Sequence, residues 1–335
     1  MTVNGGISFA KFSKRYYNYN MVRYKEGKAI AAAARAGNPA KTKFGGFTMS
    51  RFFCDSNCEL WYDKVENLGI NCISMPYTIG GEEYYYDLGK NTDNRAFFAK
   101  MRGGAVPKTS ALNESDYIVY FEPVLKAGED IIYVTFSHKM SGTFNSMYKA
   151  IDDLKTAYPD RKITVVDTTH ISMAAGLVVY FAALKHNAGA TDEEIVEFVE
   201  KFRDLTKCYF TVGDLIYLKR GGRLSSFKAA MGTLFNIKPI ISNIDGKLVN
   251  IDKSKGRKRS LKDLAAYLET DDVDENYPIV VMNADCDEDV ALTVSYIKEK
   301  HPNAEIWEQL VGPVIGSHCG PNTVGLLFVK KDKAE

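Results

Sequence analysis

Short β-branched and aromatic runs alternate with helix-length stretches between Phe47 and about residue 206. The runs RFFCDS, LGINCISMPYTI, EDIIYVTFS and RKITVVDTT are each interpreted as one strand, because turn or polar residues bound them. The helix-length stretches are 59–68, 93–102, 114–127, 143–157, 170–187 and 191–206. This alternation predicts a mostly parallel sheet with helices on both faces. Ligands of such sheets bind beyond the carboxyl ends of the strands.

From residue 206 onward, hairpins are mixed with strand–helix units. KPIISNIDGKLVNI holds two β-runs around an Asp-Gly pair, which is a strong hairpin signal. There follow a helix over about 259–269, a strand in YPIVVMNA, a helix over about 286–300, a strand near 304–310 and the strand VGLLFVKK. We predict an α/β protein with an N-terminal extension (1–46), a mostly parallel α/β domain (47–205) and an α+β domain (206–335).

The composition is typical of a globular protein, since 45% of the 335 residues are hydrophobic and 25% are charged. No apolar run approaches the roughly 18 residues that a membrane span needs, and the N-terminus lacks the layout of a secretory signal. None of the six cysteines forms a CxxC pair. We therefore expect reduced thiols, no metal site and a cytoplasmic location.

Positive charge is concentrated at the N-terminus. Up to Lys43 there are nine Lys and Arg residues and one acidic residue, Glu26, so this arm carries +8 and the remainder of the +1 chain carries −7. One hypothesis is a DNA-binding regulator that uses the basic arm. A solubilising extension is favoured, because the chain lacks a nucleic-acid motif and its pI is about 7.5. We therefore expect no nucleic-acid partner.

A second basic cluster follows the predicted hairpin. Such a cluster is either a solvated face or a docking surface for an acidic partner or an anionic membrane. Its members are Lys253, Lys255, Arg257, Lys258 and Arg259.

Four polar segments carry the candidate chemistry: PKTSAL, SHKMSGT, LKRGGRLSS and GPVIGSHCGPNTVG. Each one alone is compatible with a helix cap or a turn. Together they supply hydroxyls, an imidazole and a guanidinium, which form a set that binds carboxylate or phosphate. The candidate residues are Thr109, Ser110, Ser137, Ser141, Gly142, Thr143, Arg223 and His318.

A serine-dependent lipid or ester hydrolase that uses Ser141 is an alternative. Ser141, His318 and Asp167 are the residue types of a catalytic triad. However, Ser141 is not in a G-x-S-x-G elbow, because position 139 is Lys. The P-loop and G-x-G-x-x-G signatures of nucleotide binding are also absent.

From about Phe47 to its end, the chain resembles the DegV family of fatty-acid-binding proteins, which includes the FakB subunits of bacterial fatty acid kinase. Six segments match in the family's order: CDSNCEL, KTSAL, FSHKMSGTFNS, DTTHISMAAGLVV, GGRLSSFKAAMGTLFNIKPII and IGSHCGPNTVG. The fifth, which resembles the family's Gly-Arg-Ile-Ser…Lys-Pro-Ile core, is the most specific. The chain departs from the family pattern at Asn322, Lys108, Ala111 and the basic arm.

The resemblance implies a DegV-like fold of two domains with one long-chain fatty acid held non-covalently in a tunnel between them. By motif match, Thr109 and Ser141 would bind the carboxylate, with His318 and Arg223 nearby. The possible surrounding shell is Ser110, Gly142, Thr143 and Ser137. The resemblance also implies that the chain is not itself an enzyme and needs no cofactor. A separate fatty acid kinase would convert the bound acid to an acyl phosphate for phospholipid synthesis.

The acyl tail and the carboxylate are expected to contribute to binding in different ways. Burying about 14 methylenes at roughly 0.8 kcal/mol each contributes about 11 kcal/mol before the cost of immobilising the ligand. A carboxylate removed from water needs hydrogen-bond donors, or it costs several kcal/mol. The predicted tunnel lining includes Phe227, Met231, Leu234, Phe235 and Ile237.

Overall fold

The structure, a computed structural model, describes residues 43–44, 47–223 and 236–333. The basic arm, on which the alternative hypothesis of DNA binding rests, lies almost wholly outside these residues. Four of the predicted tunnel residues, Phe227, Met231, Leu234 and Phe235, also lie outside them. The first described elements are two short paired strands, β1 (Lys43–Phe44) and β2 (Phe47–Thr48).

The first half of the chain forms a parallel sheet of four strands. They are β3 (Arg51–Asp55), β4 (Asn71–Ile73), β8 (Ile131–Thr135) and β9 (Ile163–Asp167), in the order β4-β3-β8-β9. All five residues of β8 are buried, as expected for a strand covered on both faces. The mostly parallel sheet that the sequence predicts is confirmed.

Six helices occur in the first half of the chain, and their bounds lie close to those of the six predicted stretches. They are α1 (Tyr62–Asn67), α2 (Asn94–Arg102), α3 (Glu114–Lys126), α4 (Thr143–Ala157), α5 (Met173–Asn187) and α6 (Asp192–Leu205). Capping boxes at Asn113 and Thr191 start α3 and α6. No helix among the described residues is long and apolar enough to cross a membrane.

One predicted strand is wrong, because LGINCISMPYTI forms two strands that belong to different sheets. Its first part is β4, and its second part is β5 (Pro76–Ile79). β5 pairs with β6 (Glu82–Tyr85) and β7 (Lys108–Thr109) in a small antiparallel sheet that the sequence did not predict. Between the two strands, the backbone N–H of Met75 donates to Ser56 Oγ instead of joining a ladder.

The second half of the chain forms a mixed sheet of six strands. They are β10 (Thr206–Thr211), β11 (Ile237–Ile244), β12 (Lys247–Lys255), β13 (Ile279–Asn283), β14 (Ile306–Leu310) and β15 (Val324–Val329). The order is β12-β11-β10-β15-β13-β14, and only β13 and β14 are parallel. The predicted hairpin is confirmed, since β11 and β12 meet at Asp245-Gly246.

Four described helices accompany the second sheet: α7 (Ile216–Arg220), α8 (Arg257–Thr270), α9 (Asp287–Lys300) and α10 (Pro313–Cys319). α8 and α9 lie close to the predicted ranges. The chain passes from one sheet to the other at Thr206. The division into domains at residues 205 and 206 stays a prediction.

Helix α5 joins the two halves. It contacts β3 and β8 of the parallel sheet and β10 and β15 of the second sheet. It is apolar around most of its circumference, as a helix buried on all sides must be. At Gly176 a Cβ atom would lie 2.5 Å from the carbonyl oxygen of Cys58, so glycine permits this close packing. One hydrophobic cluster therefore includes residues of both sheets, and a second one is confined to the second half of the chain.

Candidate ligand-binding site

A cavity lies between the two halves of the chain, and residues of both line it. Its volume is about 120 Å³, roughly ten times the 10–15 Å³ that one ordered water needs on the same measure. Most of the wall is apolar: Met75, Phe136, Met140, Ile171, Phe210, Leu218, Leu248, Met282, Val311, Val314, Ile315 and Leu327. The cavity therefore suits an apolar ligand far larger than a water molecule.

The four predicted head-group residues all line this cavity, although four separate parts of the chain supply them. Thr109 lies on β7 and Ser141 precedes α4, while Arg223 follows α7 and His318 lies near the end of α10. Thr109 Oγ1 and His318 Nε2 are 2.9 Å apart and share a hydrogen bond. The fold thus brings the predicted set together, and the role of each residue toward a ligand stays a prediction.

His318 lies in a helix, whereas the glycine-rich sequence around it predicts turns. Pro313 fits the first turn of α10, because its missing N–H leaves no helical hydrogen bond unmade. Gly320, at φ +75°, ends the helix in a backbone conformation that favours glycine. Gly221 packs against the imidazole so closely that a Cβ there would overlap His318 Nδ1.

The imidazole of His318 is neutral at physiological pH. Burial, and after it the positive charge of Arg223, lowers the pKa of His318 to about 4. Its Nδ1 is buried and has no hydrogen-bond partner among the described residues. A neutral imidazole offers one donor and one acceptor. His318 can therefore orient Thr109 or a ligand without adding charge.

Arg223 brings a positive charge to the cavity that no described carboxylate neutralises. Its two terminal nitrogens donate to backbone carbonyls, at 2.6 Å to Gly221 and at 3.2 Å to Met140. Burial lowers the pKa of its half-buried guanidinium. Because a partly buried charge without a counterion is costly, the site favours an anionic ligand.

The predicted shell residues divide into two groups. Ser110 and Thr143 line the cavity, but the Thr143 hydroxyl is already bonded to Tyr117 Oη at 2.9 Å and to the Leu112 backbone N–H at 3.1 Å. Ser137 donates instead to the carbonyl of Gly246, at 2.8 Å, in the hairpin of the second half. Gly142 is the N-cap of α4 and has open space around it.

The residues proposed for a hydrolase triad are not assembled. His318 Nε2 bonds to Thr109, while Ser141 Oγ accepts a hydrogen bond of 3.2 Å from the Thr143 backbone N–H. The Asp167 carboxylate accepts from the backbone N–H groups of Thr169 and His138, at 2.6 and 3.3 Å. A triad needs the nucleophile bonded to its base and the base bonded to an acid. The hydrolase alternative therefore loses its geometric support.

Sequence reasoning missed two polar residues near the cavity, Asn57 and Glu59. Asn57 lines the wall. Glu59 is fully buried, and it accepts hydrogen bonds from Ser172 Oγ and from the Gly312 backbone N–H. Burial raises the pKa of Glu59 to about 8, more than these hydrogen bonds lower it. The signal available was the run of polar residues after β3, at the carboxyl end of a parallel strand.

No group of His, Cys, Asp or Glu side chains within the described ranges has the arrangement of a metal site. Fold and site together define an α/β protein with two main sheets and a largely apolar ligand cavity that ends in hydroxyl, imidazole and guanidinium groups. The family model described as "Uncharacterised protein, DegV family" matches residues 51–331. The chain belongs to the DegV family.

This chain matches nearly the whole length of two sequence relatives. A DegV domain-containing protein of Clostridium perfringens is 39% identical over 283 residues, which are 84% of this chain and 97% of the relative. A DegV domain-containing protein of Streptococcus pyogenes serotype M3 is 31% identical over 278 residues, which are 82% of this chain and 96% of the relative.

Three solved structures share the fold of this chain. A Thermus thermophilus DegV family protein, described by its fatty acid binding, has a TM-score of 0.75 at 24% identity and covers 85% of this chain and 100% of its own. DegV of Bacillus subtilis, described as a fatty acid binding protein, has a TM-score of 0.73 at 25% identity with the same coverage. A stearic acid-binding protein of Eubacterium ventriosum has a TM-score of 0.75 at 22% identity and covers 84% and 99%.

Proposed function

We propose that this protein binds one long-chain fatty acid non-covalently, with the acyl chain in the apolar cavity and the carboxylate at Thr109, Ser141, His318 and Arg223. The observation that carries the proposal is Arg223, a half-buried cation that no described carboxylate pairs with, beside an apolar wall. A fatty acid is the simplest ligand that joins an anionic head to a long apolar tail. The fatty-acid binding of solved relatives supports this choice.

Native mass spectrometry of the purified protein, followed by lipid extraction, tests the proposal. We expect one fatty acid of about C14–C18 per chain, because each buried methylene contributes roughly 0.8 kcal/mol to the free energy of binding. The protein stripped of lipid should take up added stearic acid with one-to-one stoichiometry. Repeated absence of a co-purified acid, together with no binding of added acid, would overturn the proposal.

The second part of the proposal is a separate fatty acid kinase that phosphorylates the presented carboxylate. It is supported by an open basic groove formed by Lys255, Arg257, Lys258, Arg259 and Lys262 with Gly256 and Tyr296. Within the groove, Arg257 pairs with Asp289 at 2.8 Å and Arg259 with Asp263 at 2.7 Å. The three lysines make no ion pair with a described carboxylate, so their charge remains available to an acidic protein surface. An anionic membrane is the other partner that this groove suits.

Replacing Lys255, Lys258 and Lys262 together by Gln tests the docking role. We expect slower phosphorylation of the bound acid by a fatty acid kinase, with unchanged fatty-acid affinity, because the groove is separate from the cavity lining. A matched control replaces three exposed lysines of α3 and α4, Lys126, Lys149 and Lys155, which changes the net charge equally. Equal phosphorylation rates for the two triple variants would contradict the docking role.

A cytoplasmic location is also part of the proposal. It is supported by the six cysteines, all of which are free thiols, as in proteins kept in a reducing compartment.

A further inference from the structure

A second chamber adjoins the head-group end of the acyl cavity. Three of the four head-group residues, Thr109, Arg223 and His318, line both spaces and so form the partition between them. The chamber has a volume of about 280 Å³, against about 120 Å³ for the cavity. A carboxylate held at this partition therefore has the acyl cavity on one side and the chamber on the other.

The charged residues of the chamber wall are all cationic. Besides Arg223, the wall includes Lys108 of β7 and Arg220 of α7, and both of these residues are exposed. No acidic residue is among the described residues that line the chamber. Neither Lys108 nor Arg220 makes an ion pair with a described carboxylate. The chamber thus offers two cations in addition to the one that a carboxylate at the partition would use.

A carboxylate carries a single negative charge, which Arg223 alone can balance. A phosphate monoester carries a charge of about −1.5 to −2 at pH 7 and presents three acceptor oxygens. Arg and Lys side chains are common ligands of such a group. Because the head-group residues line both spaces, the first atoms of the acyl chain can stay at the partition while an attached phosphoryl group extends into the chamber.

We propose that Lys108 and Arg220 are specificity-determining residues that bind the phosphoryl group of the phosphorylated acid, so that the protein holds an acyl phosphate more tightly than the free acid. The inference rests on the proposed function and adds that the protein retains the product of the kinase. An acyl phosphate is a mixed anhydride that reacts with water, so its retention limits its loss before the acyl group is transferred onward.

The test measures the affinity of the full chain for palmitic acid and for hexadecyl phosphate, a stable phosphate monoester with a chain of the same length. For the natural sequence we expect hexadecyl phosphate to bind at least about 10-fold tighter, which corresponds to about 1.4 kcal/mol. In the double variant Lys108→Gln/Arg220→Gln, this preference should fall to about threefold or less. Its affinity for palmitic acid should be nearly unchanged, because the variant keeps the residues that are proposed to bind the carboxylate.

The matched control is Lys149→Gln/Lys219→Gln, which removes the same net charge. Both lysines are exposed, Lys219 is the neighbour of Arg220 in α7, and neither lines the chamber. This control should keep the preference for hexadecyl phosphate. Because Lys108 and Arg220 are exposed, the preference of the natural sequence should also shrink as the ionic strength rises.

The other results decide against the inference. If the natural sequence binds hexadecyl phosphate no more tightly than palmitic acid, the inference is overturned whatever the variants show. A preference that survives in Lys108→Gln/Arg220→Gln, or that does not respond to salt, would assign the phosphoryl group to the half-buried Arg223 instead. Continued binding of palmitic acid in these cases leaves the proposed fatty-acid binding in place. If palmitic acid itself does not bind to the natural sequence, the proposed function fails and this inference fails with it.

Discussion

At the scale of single residues, identical side chains in the site have different tasks that depend on their partners. Thr109 and Thr143 both line the cavity, but Thr109 bonds to the His318 ring while Thr143 is occupied by Tyr117 and Leu112. Ser141 faces the cavity, whereas Ser137 ties the loop after β8 to the Gly246 turn. We therefore predict that only the first member of each pair binds the carboxylate.

The double variant Thr109→Ala/Ser141→Ala tests this distinction. We expect fatty-acid affinity to fall by roughly 10- to 100-fold or more, because a hydrogen bond to a charged group contributes about 1.5–3 kcal/mol. Stability should change little, since both side chains are partly exposed at the cavity. Affinity is measured by titration with stearic acid, and stability by thermal unfolding.

Ser137→Ala is the matched control, because it removes the same kind of hydroxyl outside the cavity wall. It should lower stability by about 1 kcal/mol through the lost bond to Gly246, with unchanged affinity. Unchanged affinity in the double variant would mean that the head group lies elsewhere in the cavity.

At the scale of elements, helix α2 holds the two hydrogen-bonded site residues in position. Its Phe97 packs against Gly316 of α10, the helix that carries His318. The same ring packs edge-on against Tyr77 at 5.7 Å, and Tyr77 pairs with Thr109 across β5 and β7. The distance between Thr109 and His318 therefore depends on the packing of α2.

Gly316→Val tests this packing. The first added carbon would lie 2.9 Å from Phe98 Cζ and 3.0 Å from Phe97 Cε1, so α10 or the two buried rings must move. We expect a loss of about 2–3 kcal/mol in the free energy of unfolding, as for overpacked cores, and weaker fatty-acid binding because His318 moves with its helix. Denaturant unfolding and stearic acid titration measure the two effects.

A second substitution separates packing from backbone effects. Phe98→Leu makes room beside Gly316, so the combined variant should recover part of the stability that Gly316→Val loses. If the two losses simply add, the contact between α2 and α10 is not what makes glycine necessary at this position.

At the scale of the whole molecule, buried polar contacts and ion pairs join the two halves across the cavity. Glu59, next to the parallel sheet, accepts from the Gly312 N–H, and its carbonyl accepts from Gln309 Nε2 at 3.1 Å. On the surface, Arg95 and Arg102 of α2 pair with Asp285 at the start of the α9 region. Asp285 and Asp287, at the start of α9, thus contribute to the contact between the two halves, in addition to their favourable place near a helix N-terminus.

Glu59→Gln tests the buried contact through its pH dependence. The pKa of Glu59 is raised from 4.5 to about 8 in the folded protein, so between these values the folded state binds more protons than the unfolded state. Stability must therefore fall as the pH rises from about 4.5 to 8, by at most about 5 kcal/mol from this group. The Gln variant lacks this loss, so it should be the more stable form above pH 8.

The comparison requires denaturant unfolding of both proteins at several pH values. Burial raises the pKa of Asp55 to about 7, so this residue adds a similar pH dependence of stability to both proteins. Glu59→Ala is the control for the hydrogen bonds themselves. It leaves the Gly312 N–H without its acceptor, so it should be less stable than Glu59→Gln at every pH by about 1–3 kcal/mol. Parallel pH profiles for Glu59→Gln and the natural sequence would contradict the raised pKa.

The features that could be predicted from the sequence are those encoded within short windows. Hydrophobic periodicity and turn residues located all six helices of the first half and the Asp245-Gly246 hairpin, because helix and strand periods and turn chemistry are local properties. Motif matches also identified Thr109, Ser141, Arg223 and His318, which the fold places around one cavity. The family resemblance is confirmed by the match over residues 51–331.

Which polar groups are hydrogen-bonded within the protein became clear only from the folded arrangement of the chain. Ser137 and Gly246 are 109 positions apart, and Glu59 and Gly312 are 253 positions apart, so no local pattern indicates that they meet. The same holds for the division of LGINCISMPYTI between two sheets, which depends on which strands lie alongside it. A hydrogen bond is decided by the position of its partner in space, and that position exists only after the two sheets have packed around α5.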